Sequence, residues 1–235
     1  MGVPGFEAIV LAGGLGTRIS SVVPNQPKVM IDVGGHPFME ILFDLMAKNG
    51  VARVIMATGH LHHLIRGHFG NRWGEIEIDY SVEEHPLGTG GAVRQALKRA
   101  SQDDLFVLNG DTFFDVDFNA LYQFHGSMQA DITLALKLMR KFERYGTVDL
   151  EGRRITGFRE KRKMDEGLIN GGLYLMNRHA LDDSVLPEKF SLETDFLENK
   201  VNEITIGGFV SPGYFVDIGV PEDYAMARQE LPHMA

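Results

Sequence analysis

The sequence predicts an α/β protein built on a Rossmann-like, mostly parallel mixed sheet flanked by helices. Three observations predict it. Short continuous apolar runs end at glycine-rich turns, as buried parallel strands do. Stretches with helical apolar spacing separate those runs through the first half of the chain, which is the alternation that builds a parallel sheet with helices on both faces. The second half changes to strand-like alternation, which adds a mixed portion.

Taken in order, residues 8–12 are an apolar run closed by Gly13-Gly14, a buried first strand. Residues 38–48 carry apolar side chains at 38, 41, 42, 45 and 46, one face of a helix, and Gly50 stops it. A second buried strand follows at 51–58 and a short helix at 61–69. Ile76, Ile78, Tyr80 and Val82 alternate with Glu77, Asp79 and Ser81, giving a strand with one wet face. Beyond Pro86-Leu87-Gly88-Thr89-Gly90-Gly91 comes a helix with Ala92, Val93, Ala96, Leu97 and Ala100 on one side. Residues 105–108 are again a buried strand, ending at Asn109-Gly110-Asp111. Ile132, Leu134, Leu136 and Leu138 alternate in a strand, and 146–150 with 154–158 read as a hairpin around Glu151-Gly152-Arg153. Strands at 173–176, 204–210 and 214–218 follow, and Pro221 opens a last helix to about residue 229.

A chain of 235 residues with 44% hydrophobic and 23% charged residues suits one globular domain spanning 1–235. Against 23 Lys and Arg stand 32 Asp and Glu, a net charge of −9 that argues against broad binding of nucleic acid or an anionic membrane surface. The absence of cysteine excludes disulfides, cysteine nucleophiles and cysteine-ligated metals. No apolar run approaches a membrane span and the start lacks a basic and apolar leader, so a cytoplasmic protein is expected.

In such sheets ligands bind beyond the carboxyl ends of the strands, so chemistry is sought in the loops after apolar runs. The first is Leu11-Ala12-Gly13-Gly14-Leu15-Gly16-Thr17-Arg18, where glycines let backbone amides crowd an anion and Arg18 adds a fixed positive fork. It is neither a Walker loop, for want of Gly-Lys-Ser/Thr, nor a dinucleotide fingerprint, because Ile19 stands where the third Gly belongs. A turn of this kind alone is an ordinary structural feature; Arg18 and Lys28 together turn the reading toward phosphate. The second loop, Glu83 to Gly91, reads as a plain strand-to-helix turn with Thr89 as N-cap, or as a flat surface for a nucleobase. The third, Asn109-Gly110-Asp111, puts a carboxylate on a strand tip, suited to hold Mg²⁺ against phosphates. Asp217, in Phe215-Val216-Asp217-Ile218-Gly219, is a second such carboxylate, although a lone strand-end Asp is commonly a turn former.

Gly-Gly-x-Gly-Thr-Arg, Pro27-Lys28, Pro-Leu-Gly-Thr-Gly-Gly-Ala and Asn-Gly-Asp, in that order, resemble the sugar-nucleotide pyrophosphorylases, nucleotidyltransferases that act on sugar 1-phosphates. Gly157-Phe158-Arg159-Glu160-Lys161, Ile169-Asn170-Gly171-Gly172-Leu173-Tyr174 and Asp217-Ile218-Gly219-Val220-Pro221-Glu222-Asp223-Tyr224 extend the resemblance over about residues 6–228. Ser21-Val22-Val23-Pro24, Gly34-Gly35-His36-Pro37-Phe38, Arg144-Tyr145-Gly146-Thr147-Val148 and Phe190-Ser191-Leu192-Glu193 most resemble the branch that guanylylates D-glycero-α-D-manno-heptose 1-phosphate for surface polysaccharide. One departure is Ile19-Ser20, where the family often carries a second basic residue.

The resemblance implies a nucleotide-diphospho-sugar transferase type of fold, with a nucleotide-binding half at about 1–115 and a sugar-binding half at about 116–235. It implies GTP and a sugar 1-phosphate as partners, with Mg²⁺ as cofactor. It assigns Leu11, Ala12, Gly13, Gly14, Gly16, Thr17, Pro86, Gly88, Thr89 and Gly110 to the nucleotide. Arg18 is to hold the departing pyrophosphate, Lys28 to steady the α-phosphate, and Asp111 and Asp217 to ligate the metal. Lys161 is to grip the sugar's phosphate, while Glu160, Asn170, Gly171 and Glu193 face its hydroxyls. A mannose or other hexose stands as the alternative sugar.

Base choice is argued from chemistry. Guanine offers two adjacent donors that a carboxylate accepts side by side, and Glu83, or else Glu84, stands at the strand end where that contact is made. The competing reading is a solvated strand-end charge. His60, His62 and His63 read as a solvated turn rather than a metal site. Asp115 and Asp117 form an Asp-x-Asp that either joins the metal or marks a glycosyltransferase consuming an activated sugar. A non-catalytic protein that only binds sugar nucleotides is the rival from another class, and the sequence leaves room for a homo-oligomer.

Overall fold

The computed structural model describes residues 5–14, 26–182 and 185–231. From the amino end it runs through β1 (Phe6–Leu11), a 3₁₀ turn at Lys28–Met30, β2 (Asp32–Val33), β3 (His36–Pro37), α1 (Phe38–Lys48), β4 (Val51–Thr58), α2 (His62–Phe69), β5 (Arg72–Trp73), β6 (Ile76–Val82), α3 (Gly88–Leu97), β7 (Asp104–Asn109) and β8 (Thr112–Phe114). Then follow α4 (Phe118–Met128), β9 (Ile132–Phe142), β10 (Thr147–Glu151), β11 (Arg154–Arg159) and β12 (Met164–Asn177). A π-helical turn at Leu192–Leu197 leads into α5 (Glu198–Lys200), and β13 (Ile206–Ser211), β14 (Phe215–Asp217) and α6 (Pro221–Glu230) complete the described chain.

Among the described residues the main sheet has the order β10-β11-β13-β9-β12-β7-β1-β4-β6-β5. The expected parallel arrangement is found in its first half, where β1 pairs parallel with both β4 and β7 and β4 pairs parallel with β6. The second half is mixed: β12 runs antiparallel to β7 and β9, while β13 is parallel to β9. The apolar runs form buried strands because helices cover both faces. Phe38, Leu42, Phe43 and Met46 of α1 pack on one face with Phe118 of α4, whereas Val93 and Ala96 of α3 join Phe196 and Leu197 on the other. Each of the larger of these side chains contributes roughly 1.5–3 kcal/mol of apolar burial.

Three differences from the sequence pattern have physical reasons. First, α4 was not anticipated, yet Asp117 caps it by accepting the Ala120 N–H at 3.0 Å, and Phe118, Leu121 and His125 form its buried face. Of the Asp-x-Asp pair, Asp117 thus serves as this helix's cap. Second, β12 is far longer than residues 173–176, because its amino-terminal part pairs with β9 across a register irregularity between Asn170 and Tyr174. Gly172 sits inside that irregularity at φ +70°, a conformation that favours glycine. Third, β14 pairs antiparallel with β8 in a separate ribbon, which brings Asp217 opposite Thr112.

Candidate active site

The β1 register sets Leu11 abreast of Ala57 on β4 and Asn109 on β7, so three strands end side by side. Beyond those ends lies a cavity of about 300 Å³. Leu11, Ala12, Gly13 and Gly14 form one wall, Glu83, Pro86, Gly88 and Thr89 another, and Asn109, Gly110 and Asp111 the floor, with Lys28 at one side. Glycine at 110 is required by close approach: its N–H donates to Leu11 O at 3.0 Å, and a Cβ there would stand 2.5 Å from the same oxygen. The sequence-predicted residues Gly16, Thr17 and Arg18 lie outside the described residues.

Charge concentrates at one corner of this cavity. Lys28, carried on its 3₁₀ turn, places Nζ 2.5 Å from Asp111 Oδ2. The ribbon of β8 and β14 brings in the second carboxylate, with the Ile218 N–H donating to Asp111 O at 2.9 Å. Burial pushes the Asp217 carboxyl above its ordinary value, and the neighbouring Asp111 charge pushes it further the same way. The Gly219 N–H, donating to Asp217 Oδ1 at 2.7 Å, and the Lys28 ammonium offset part of that rise. Two mutually repelling carboxylates in oxygen-rich surroundings fit a hard divalent cation that also takes phosphate oxygens and water. Among the described residues no cluster of three or more His, Asp or Glu side chains forms a metal-binding group. Asn109 lines the cavity floor, and its buried Oδ1 has no hydrogen-bond partner among the described residues.

Glu83 follows β6 on the opposite wall. Its Oε2 accepts the Leu87 N–H at 2.9 Å, and a Cβ on Gly13 would meet Oε1 at 2.5 Å. Burial raises its pKa, while the Leu87 hydrogen bond and His85 pull it down. The carboxylate is therefore fixed in direction, with Oε2 already engaged and Oε1 against the glycine loop. Glu84 is exposed.

The glycine run after Pro86 has a reason that sequence reading missed. The Gly90 and Gly91 N–H groups both donate to Phe190 O, and Gly88, at φ +72°, would put a Cβ 2.5 Å from that oxygen. The helix starts at Gly88 with Leu87 as its cap position, so Thr89 lies inside the first turn. The Thr89 hydroxyl donates to Glu193 Oε2 at 2.7 Å and accepts the Leu192 N–H at 2.9 Å. Tyr174, fully buried, donates to Glu193 Oε1 at 2.9 Å and accepts from Asn170 Nδ2 at 2.8 Å. Asn170 and Glu193 are thus brought together by the buried Tyr174 hydroxyl.

Other expected sugar residues stand differently. Gly171 packs where a Cβ would be 2.3 Å from the Phe114 ring. Glu160 and Lys161 lie exposed between β11 and β12, with no hydrogen bond or ion pair to the described residues. Of the histidine cluster, His62 and His63 open α2, the first half-buried and the second exposed.

A crevice at the carboxyl ends of parallel strands, lined by Lys28 and Asp111 with Asp217 nearby on its ribbon, suits the binding of phosphate esters. The chain belongs to the nucleotidyl transferase family, whose profile matches residues 7–233. It is 46% identical over 228 residues to the D-glycero-alpha-D-manno-heptose 1-phosphate guanylyltransferase of Aneurinibacillus thermoaerophilus, covering 97% of this chain and 99% of that relative. Identity to the same-named protein of Campylobacter jejuni is 42% over 220 residues, covering 93% and 97%. The crystal structure of HddC from Yersinia pseudotuberculosis complexed with GMP-PN matches with a TM-score of 0.85 at 33% identity, covering 96% of this chain and 99% of that one. No helix among the described residues is long and apolar enough to cross a membrane.

Proposed function

We propose that the protein is a guanylyltransferase that forms GDP-D-glycero-α-D-manno-heptose and pyrophosphate from GTP and heptose 1-phosphate. An oxygen of the sugar phosphate attacks the α-phosphorus of GTP; the bond from that phosphorus to the bridging oxygen breaks, and pyrophosphate departs with the electron pair. No general base is needed, because the attacking oxygen is already ionised at neutral pH. The obstacle is repulsion between anions, so the residues act by alignment and by opposing charge. The observation that carries this reading is the 46% identity spanning nearly the whole of both chains.

In the proposed enzyme Lys28 moves from Asp111 to the α-phosphate, and Arg18 holds the leaving pyrophosphate. Asp111 and Asp217 would hold a divalent cation, Mg²⁺ in this reading, which supplies charge neutralisation at the phosphate oxygens. Leu11, Ala12, Gly13, Gly14, Gly16 and Thr17, with Pro86, Gly88, Thr89 and Gly110, are proposed to seat the nucleotide, and Glu83 to read guanine. Lys161, Glu160, Asn170, Gly171 and Glu193 serve the sugar phosphate. Residues 1–115 thus form the nucleotide half and 116–235 the sugar half of one domain. The product is an activated heptose for surface polysaccharide, made in the cytoplasm, where GTP is supplied.

A substrate matrix tests the proposal: four nucleoside triphosphates against heptose, mannose and glucose 1-phosphates, read by pyrophosphate release with and without Mg²⁺. GTP with heptose 1-phosphate is to give the highest kcat/KM, and a faster hexose or pyrimidine nucleotide would overturn the assignment.

A further inference from the structure

The glycine turn that opens α3 contributes to the nucleotide wall, yet its one hydroxyl points elsewhere. Thr89 Oγ1 donates to Glu193 Oε2 at 2.7 Å, Ser191 Oγ reaches the same oxygen at 2.9 Å, and Tyr174 OH supplies Oε1 at 2.9 Å. The Glu193 carboxylate is thereby held by donors from three parts of the chain. Tyr174 also takes a hydrogen from Asn170 Nδ2 at 2.8 Å, while Asn170 Oδ1 accepts the Gly172 N–H at 3.0 Å, so the orientation of that amide is set as well. Tyr174 is fully buried, and burial with the adjacent Glu193 charge raises its pKa well above the ordinary phenol value. It therefore stays a neutral donor throughout the physiological range.

A carboxylate is acceptor-only and an amide offers both kinds of partner, so a polyhydroxylated sugar is discriminated by where these atoms point. A side chain whose rotamer is locked by buried donors discriminates better than a mobile one. We propose that Thr89 and Tyr174 are positioning residues for sugar recognition: the two hydroxyls hold Glu193, and Tyr174 holds Asn170, in the orientation that meets the sugar hydroxyls. Thr89 thus sits in the nucleotide wall while its side chain serves the sugar. This rests on the guanylyltransferase reading.

The test compares Thr89→Val, Thr89→Ser and Tyr174→Phe with the wild type, measuring KM for each substrate separately and melting temperature. Wild-type turnover is first established with the matrix above, and the variants are then assayed with whichever pair the wild type uses best. A wild type that prefers another pair revises the function and leaves the positioning test intact. Thr89→Val is expected to raise KM for the sugar phosphate ~10-fold with KM for the nucleotide changed less than about twofold, and Thr89→Ser is to restore it. Tyr174→Phe is expected to give the same split and to weaken discrimination between sugar epimers. A rise confined to the nucleotide KM, an unchanged sugar KM in both variants, or a loss of activity that tracks only the fall in melting temperature would overturn the proposal.

Discussion

Lys28 and Asp111, 83 residues apart in sequence, form an ion pair of 2.5 Å at the edge of the cavity. The ammonium thus rests on one of the two carboxylates proposed to hold a cation, and in the proposed reaction phosphate draws it away. Lys28→Met is expected to lower kcat ~100-fold, the loss of one electrostatic contact of ~3 kcal/mol in the transition state. Since the substitution also frees Asp111, the Mg²⁺ concentration giving half-maximal activity is to stay the same or fall. A metal titration of the variant checks this, and a sharply raised Mg²⁺ requirement would count against the arrangement.

Asp217 is costly to the free protein. Its carboxyl is buried beside Asp111 and titrates above the ordinary 3.8. An acid with a raised folded-state pKa binds more protons folded than unfolded between the two values. Its contribution to stability is therefore full below the ordinary pKa and is lost as pH rises through the raised one. Asp217→Asn keeps an acceptor for the Gly219 N–H but removes the charge. The variant is expected to melt above the wild type at pH 7, by roughly 2–4 °C per ~1 kcal/mol in a domain of this size, with the gap closing as pH falls below the carboxylate range. Its activity is to drop steeply, so calorimetry and turnover move in opposite directions.

Glu83→Gln keeps an oxygen for the Leu87 N–H and replaces the other oxygen with a donor. The preference for GTP over UTP, taken as the ratio of kcat/KM, is expected to fall ~10–100-fold, the range set by mispairing a buried polar group. An unchanged ratio would remove Glu83 from base recognition.

Gly88→Ala forces a side chain into φ +72° and into Phe190 O at 2.5 Å, a backbone atom that cannot swing away. The expected cost is ~1–3 kcal/mol in urea unfolding, together with a raised KM for the nucleotide because the start of α3 shifts. By contrast, a Cβ at Gly14 meets no atom of the described residues within 4 Å, and Gly14→Ala is expected to leave stability nearly unchanged.

The sequence made the parallel half legible because buried parallel strands announce themselves as apolar runs, and their carboxyl ends are where Gly13, Glu83, Gly110 and Asp111 meet. What stayed hidden depends on contacts distant along the chain. Nothing local in Pro86-Leu87-Gly88-Thr89-Gly90-Gly91 reveals that its glycines admit the backbone of Phe190, or that Thr89 reaches Glu193, 104 residues on. Tyr174 sits in an apolar run and reads as core, which it is, while its hydroxyl serves Asn170 and Glu193. The α4 cap was different: Asp117 before Phe118, Leu121 and His125 at helical spacing was a local signal that could have been read.

The guanylyl group is expected to move intact from GTP to the sugar phosphate, and label tracing reads that transfer. The protein is incubated with heptose 1-phosphate, Mg²⁺ and GTP labelled either at the α- or at the γ-phosphorus. The expected result is α-label in a heptose-linked GDP product and γ-label in pyrophosphate, in equal amounts. Label appearing as GMP, as free phosphate, or remaining in bound but unconverted GTP would contradict it.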